Sequence, residues 1–287
     1  MRQILWGLFK KIVIADNCAE YANLIFNHSE DYSGSTLVIG ALFFTFQIYG
    51  DFSGYSDIAI GTGRLFGFNL MRNFNFPYFS RDIAEFWRRW HISLSTWFRD
   101  YLYIPLGGSK GGTGMKIRNT FIIFIVSGFW HGANWTFIIW GALNAIYFLP
   151  LMLTKNNRNN LDIIAKGRYF PSIKDFFFMA LTFGLTVFAW IFFRASSLEH
   201  AISYISEIIS PSLFTVPVFA ARNESITTIL LVIIFITIEW FGREGQYAIS
   251  DLGIKWKRPL RHCLYYGLII AIFWFSGNEQ QFIYFQF

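Results

Sequence analysis

Apolar residues along this chain gather into long runs. The main ones, several of them shorter than the roughly 20 residues a span needs, read as candidate membrane spans: Leu37–Gly50, Phe121–Leu153, Phe176–Phe193, Ile226–Phe241 and Cys263–Phe275, with a shorter run at Ile4–Ala15. The pattern predicts an all-α fold, a polytopic transmembrane helical domain, taken as one membrane domain over residues 1–287. The polar connection Lys155–Asn160 separates a half dense in unusual polar residues, 37–153, from plainer C-terminal spans, 176–287. Any chemistry is expected in the former.

One segment has a different period. RDIAEFWRRWHISLSTWFRD, Arg81–Asp100, places Ile83, Phe86, Trp87, Trp90, Leu94, Trp97 and Phe98 at three- and four-residue intervals. They form one apolar arc, with Asp82, Glu85 and Arg89 opposite and His91 at its edge. This predicts an amphipathic helix lying in the membrane interface, where indole rings sit half wet. The following stretch, LGGSKGGTG at Leu106–Gly114, lacks the Gly-Lys-Ser/Thr order of a phosphate-binding loop. It reads as a flexible turn, the other reading being a loop that helps hold an anionic donor.

Composition strengthens the membrane assignment. Of 287 residues, 54% are hydrophobic and 15% charged, where soluble domains carry about 25% charge. A net charge of +6 on a soluble domain would suggest nucleic acid, but here the basic residues fall between apolar runs. Arg81, Arg88, Arg89, Arg99, Lys110, Lys116 and Arg118 share one connection, which the positive-inside rule places in the cytoplasm. No nucleic-acid partner is implied. Cys18 and Cys263 have no paired spacing, so neither a disulfide framework nor a metal site is expected. The N-terminal run has flanking basic residues and no small-residue cleavage site, which predicts a helix that begins mid-protein and not a signal peptide.

Candidate chemistry centres on SGFWHGANW, Ser127–Trp135. At 1.5 Å per residue His131 lies roughly 20 Å from Arg118 along a helix, well inside a hydrocarbon layer of about 30 Å. An ionisable side chain at that depth is costly and is a functional candidate by default. Gly128 and Gly132 remove bulk beside it, as a broken helix or an approaching ligand requires; a helix-packing histidine is the alternative. A neutral imidazole is a competent general base for a hydroxyl. The sequence holds no HExxH zinc pair, and its one GxSxG string, Gly107–Gly111 within the glycine-rich stretch, lacks the strand-to-helix context of a nucleophile elbow. A base without a nucleophile partner points to direct attack by a substrate hydroxyl, or to a proton relay. Upstream, QIYGDFSGYSD places Asp51 and Asp57 six apart, on different sides of a helix, which argues against a paired-carboxylate device. These carboxylates either bond the backbone of a broken helix or, with Ser53, Trp130 and Asn134, line a polar passage.

Three blocks together, QIYGDFSGYSDIAIG (Gln47–Gly61), NFNFPYFSRDIAEFWRRWHISLSTWFRDYLYIPLGG (Asn73–Gly108) and SGFWHGANWTFIIWG (Ser127–Gly141), resemble the membrane-bound O-acyltransferases, specifically the alginate O-acetyltransferase (AlgI-like) branch. The likeness extends more loosely from KKIVIAD at Lys10–Asp16 to the terminal FIYFQF. It implies that His131 is the catalytic histidine and His91 the second characteristic one, in helices surrounding a tunnel. It implies acetyl transfer from a cytoplasmic thioester, acetyl-CoA, to an exported polysaccharide or a secreted acetyltransferase partner, in a bacterial inner membrane and with no bound cofactor. Arg88, Arg89, Lys110 and Lys116 would then attract the donor's phosphates. The alternatives are the related D-alanyl transfer to teichoic acid (DltB-like) and, from another class, a proton-coupled transporter subunit. Members of the family carry further spans before the KKIVIAD-like segment, so the chain is expected to be N-terminally incomplete and inactive alone if those spans form the tunnel wall.

Overall fold

The computed structural model describes residues 1–276 and 280–283, and among them every regular element is helical. Helix α1 (Arg2–Leu8) runs through a π-helical segment, Phe9–Ala15, into α2 (Asp16–Asn27). Then follow α3 (Gly34–Leu65), the short α4 (Ile83–Arg89) and α5 (Ile92–Phe98), α6 (Thr113–His131), α7 (Trp135–Leu153), α8 (Ile173–Arg194), α9 (Leu198–Ile209), α10 (Arg222–Gly242) and α11 (Arg258–Trp274). They form two compact units, one of Met1–Asn75 with the described residues from Tyr204 onward, the other of Phe76–Ser203. The Asn-rich connection lies inside the second unit.

Helices α3, α7, α8 and α10 are long and apolar enough to cross a membrane. With 32 residues α3 is about 48 Å long, more than a hydrocarbon layer requires. The expected span at Cys263–Phe275 falls on α11, whose 17 residues are at the short end of the spanning range of roughly 17–25. Most of the terminal FIYFQF lies outside the described residues. Phe176 and Phe177 on α8, Leu230 and Ile233 on α10, and Phe273 and Trp274 on α11 are each more than half exposed, surfaces suited to lipid and not to water.

In the first unit α1 and α3 touch backbone to backbone. A Cβ on Gly7 would lie 2.6 Å from the Gly54 carbonyl oxygen, and one on Gly54 2.8 Å from that of Gly7, so only glycine permits the approach. Just beyond, the π-helical turn brings Lys10 Nζ to 2.6 Å from Asp57 and Lys11 Nζ to 2.7 Å from Asp51 and 2.8 Å from Asp16. Trp6, fully buried, stacks on Phe9 and Phe235 and donates its indole N–H to buried Glu239, which also accepts from the Tyr49 hydroxyl. Each carboxylate has a partner at the position where burial would otherwise be most unfavourable.

In the second unit the single apolar run Phe121–Leu153 becomes an antiparallel hairpin. It breaks at Gly132–Asn134, and α6 starts upstream of the run, carrying Lys116 and Arg118. The hairpin closes on two glycines: a Cβ on Gly128 would lie 2.2 Å from the Phe137 carbonyl oxygen, and one on Gly141 2.3 Å from that of Phe124. Helix α8 packs on α7 through the stacked pair Trp140 and Trp190, centroids 5.7 Å apart.

The expected interfacial helix Arg81–Asp100 is corrected to two helices. The chain turns at His91, whose φ of 42° and ψ of 57° lie in the left-handed region. One apolar arc does not survive that turn: Ile83, Phe86, Trp90 and Phe98 are buried, whereas Trp97 is 53% exposed. The opposite face is not wet either, since Asp82, Glu85 and Arg89 are all buried.

Candidate active site

Local sequence explains how the site is positioned. Apolar residues carry α6 to His131, Gly132 ends it, and Asn134 starts α7 as its N-cap, accepting from the Thr136 N–H at 3.1 Å. The other end of the Asn134 amide donates to the Ser196 carbonyl at 3.1 Å, tying the break to the segment after α8. His131 is thus the last residue of a helix about 28 Å long, at the mouth of the hairpin turn and not midway along a continuous rod.

Four aromatic rings surround the half-buried imidazole. Trp130 and Phe193 have centroids 4.9 Å away, Trp140 stands perpendicular at 5.4 Å, and Phe137 lies at 6.3 Å. They come from α6, α7 and α8, so the enclosure exists only when the hairpin and α8 are packed. Trp130, 53% exposed, also faces His91 at 6.4 Å between centroids. The two imidazoles are close enough for charge on one to act on the other. Burial pulls the His91 imidazole down to about 4, so near neutral pH it is uncharged, with Ser93 Oγ 3.4 Å from its Nδ1. Two histidines beside a partly open tryptophan can accept, hold and return a proton.

Of the predicted site residues, the structure brings together His131, His91, Trp130 and Asn134. Asp51, Ser53 and Asp57 belong to the first unit, where both carboxylates pair with lysines; Asp51 also accepts from the Ile283 N–H at 2.6 Å. Arg89 is buried against Glu85 at 2.7 Å, and Arg88 donates to the Asn157 and Asn160 carbonyls at 2.8 and 2.9 Å. Lys110 is exposed and Lys116 half-buried. The Gly-rich stretch folds back as a turn: Asn119 donates to the Leu106 and Gly108 carbonyls at 3.2 and 3.1 Å. Sequence reasoning missed Trp140, Trp190 and Phe193, for which a run of aromatic residues gives no individual signal. It also missed the buried role of Glu85. The Asp-x-x-Glu spacing of Asp82 and Glu85, a capping-box signature just before an apolar run, could have revealed it.

The sequence model of the membrane-bound O-acyltransferase family matches residues 1–188. The chain belongs to that family. The Probable alginate O-acetylase AlgI of Pseudomonas putida is 38% identical over 303 residues, an alignment covering 99% of this chain and 60% of that protein. The Peptidoglycan O-acetyltransferase of Helicobacter pylori is 34% identical over 298 residues, 98% of this chain and 55% of that protein. A Teichoic acid D-alanyltransferase from Streptococcus thermophilus is 41% identical, but over only 35% of the chain and 26% of its own length. The chain thus spans about 60% of the first of these relatives. Family and long apolar helices together make it an all-helical membrane protein.

Proposed function

We propose that this chain carries the catalytic histidine pair of a membrane O-acetyltransferase. In this reading it moves acetyl from a cytoplasmic thioester, acetyl-CoA, to a hydroxyl of an exported polysaccharide or of a secreted partner that relays it. The observation that carries the proposal is the half-buried His131, enclosed by rings of three helices at the hairpin turn and joined to His91 across Trp130. Its relatives over nearly the whole chain are O-acetyl enzymes by name, which supports acetyl over D-alanyl as the group carried.

His131 accepts the proton of the acceptor hydroxyl while that oxygen attacks the thioester carbonyl. The C–O bond forms, the C–S bond breaks, and the proton passes from His131 to the departing thiolate. The rings limit water around the imidazole, so hydrolysis competes poorly. Lys110, Lys116 and Arg88 are the predicted cations turned toward solvent or backbone carbonyls, and they serve to attract the donor's phosphates. Arg89, bound to Glu85, has a different task. The positive-inside bias of their connection supports a donor side that faces the cytoplasm, and in this reading the membrane is a bacterial inner membrane.

In the full-length protein, His131→Ala should abolish acetylation of the polysaccharide, a loss of at least about a hundredfold, while membrane abundance stays at the wild-type level. Near-normal acetylation by that variant would end the proposal.

A further inference from the structure

The charges of the EFWRRWH segment call for an explanation that catalysis by His131 does not supply. Glu85 has a side chain only 1% exposed, yet it accepts from three directions. Arg81 approaches it with two guanidinium nitrogens at 3.1 Å and with its backbone N–H at 2.7 Å; Arg89 adds a contact at 2.7 Å. Both arginines then reach on to the polar connection. Arg81 donates to the Asp162 carboxylate at 2.8 Å, and Arg89 to the Asp162 carbonyl at 2.9 Å. Beside them Asn160 donates to the Asp82 carboxylate at 2.6 Å. The Asn-rich connection is thereby strapped across α4 by a hub whose Glu85, Arg81 and Arg89 side chains are each less than 10% exposed and whose outer end is the exposed Asp162 carboxylate.

What the hub holds lies next to it in the chain. Arg89 is the last residue of α4, and His91, two residues on, stands in the left-handed region. Between them Trp90, 2% exposed, packs against Trp190 at 5.2 Å; Trp190 stacks on Trp140, and Trp140 is the ring perpendicular to His131. We propose that Glu85 is a positioning residue: with Arg81, Arg89 and the strap at residues 157–162 it fixes where α4 ends, and so sets His91 and the ring stack beside His131. The proposal rests on the transferase reading for its catalytic consequence, but not for its structural one.

Two readouts test it in the full-length protein in membranes. Glu85→Gln should lower acetyl transfer per folded molecule about ten- to a hundredfold, with the KM for acetyl-CoA changed by less than about twofold. It should also raise carbethoxylation of His91 by diethyl pyrocarbonate, with His28, His200 and His262 as internal references. Arg89→Lys keeps the cation beside Glu85 but lacks the guanidinium's fixed geometry; it should show the same changes at smaller size, and it serves where Glu85→Gln fails to accumulate. Activity that falls only in step with the amount of folded protein, with His91 labelling unchanged, overturns the proposal. If the wild-type protein shows no transfer, the transferase reading fails, and the labelling still decides whether the Glu85 hub positions His91.

Discussion

Gly128→Ala isolates the geometry on which the candidate site depends. The added Cβ would sit 2.2 Å from the Phe137 carbonyl oxygen, against about 3.3 Å for the closest ordinary C···O approach, a shortfall of roughly 1 Å. The obstructing atom is backbone of α7, which cannot swing aside as a side chain can, so α7 itself must move. Overpacking of this kind costs about 1–3 kcal/mol, and alanine's better helix propensity offsets about 1 kcal/mol of it. The net destabilisation, about 0–2 kcal/mol by these two figures, leaves the protein folded. The shift nevertheless falls on Phe137 and Trp140, two of the rings around His131. A misplacement near 1 Å lowers turnover by up to about a hundredfold, or about 2.7 kcal/mol on the barrier. The initial rate of acetyl transfer in membranes, normalised to folded protein by size-exclusion chromatography, measures this. The control is Gly184→Ala on α8, where nothing lies within 4 Å of the added carbon and the expected effect is neutral to slightly stabilising. Should Gly128→Ala retain half or more of the wild-type rate, the hairpin contact does not set the site and the reasoning fails.

The remaining expectations are shorter. Lys10→Met leaves the half-buried Asp57 with the Gln3 amide at 2.8 Å but without its ammonium partner at 2.6 Å and should lower stability by about 1–3 kcal/mol, whereas Lys10→Met with Asp57→Met should recover most of it. Thermal unfolding in detergent decides between them; a double variant as unstable as the single one would show that the pair does not matter. For His91, whose folded imidazole is drawn from 6.5 to about 4, the unfolded chain binds more protons within that window. Its contribution therefore makes stability rise with pH from about 4 to 6.5 and be lost as pH falls. His91→Asn, which tolerates the left-handed backbone, should flatten that slope in melting curves; superimposable pH profiles would refute the assignment.

The candidate site was partly legible before folding. The stretch Ser127–Asn134 reads as an interruption of an otherwise apolar run of more than 30 residues, and the structure narrows the break to Gly132–Asn134, which places His131 at a helix end. The helical amphipathicity of Arg81–Asp100 was legible as well, yet periodicity misplaced its environment. A helical wheel assumes one straight helix with one wet side; the left-handed turn at His91 ended the first condition and Asp162 the second. Likewise Asp51 and Asp57 read as candidates for a passage until Lys10 and Lys11, some forty residues earlier in the sequence, met them.

By itself the sequence determined what solvation and short-range sterics decide. Long uncharged runs have to be helices in lipid, because every backbone N–H and C=O must be satisfied within its own segment, and glycine with an Asn cap has to end one of them. Only the tertiary structure decided which charges are buried and against what. Glu239 accepts from Tyr49 across 190 positions, and Arg81 finds Asp162 across 81. Such partners are chosen by packing between distant segments, and local pattern carries no trace of that choice.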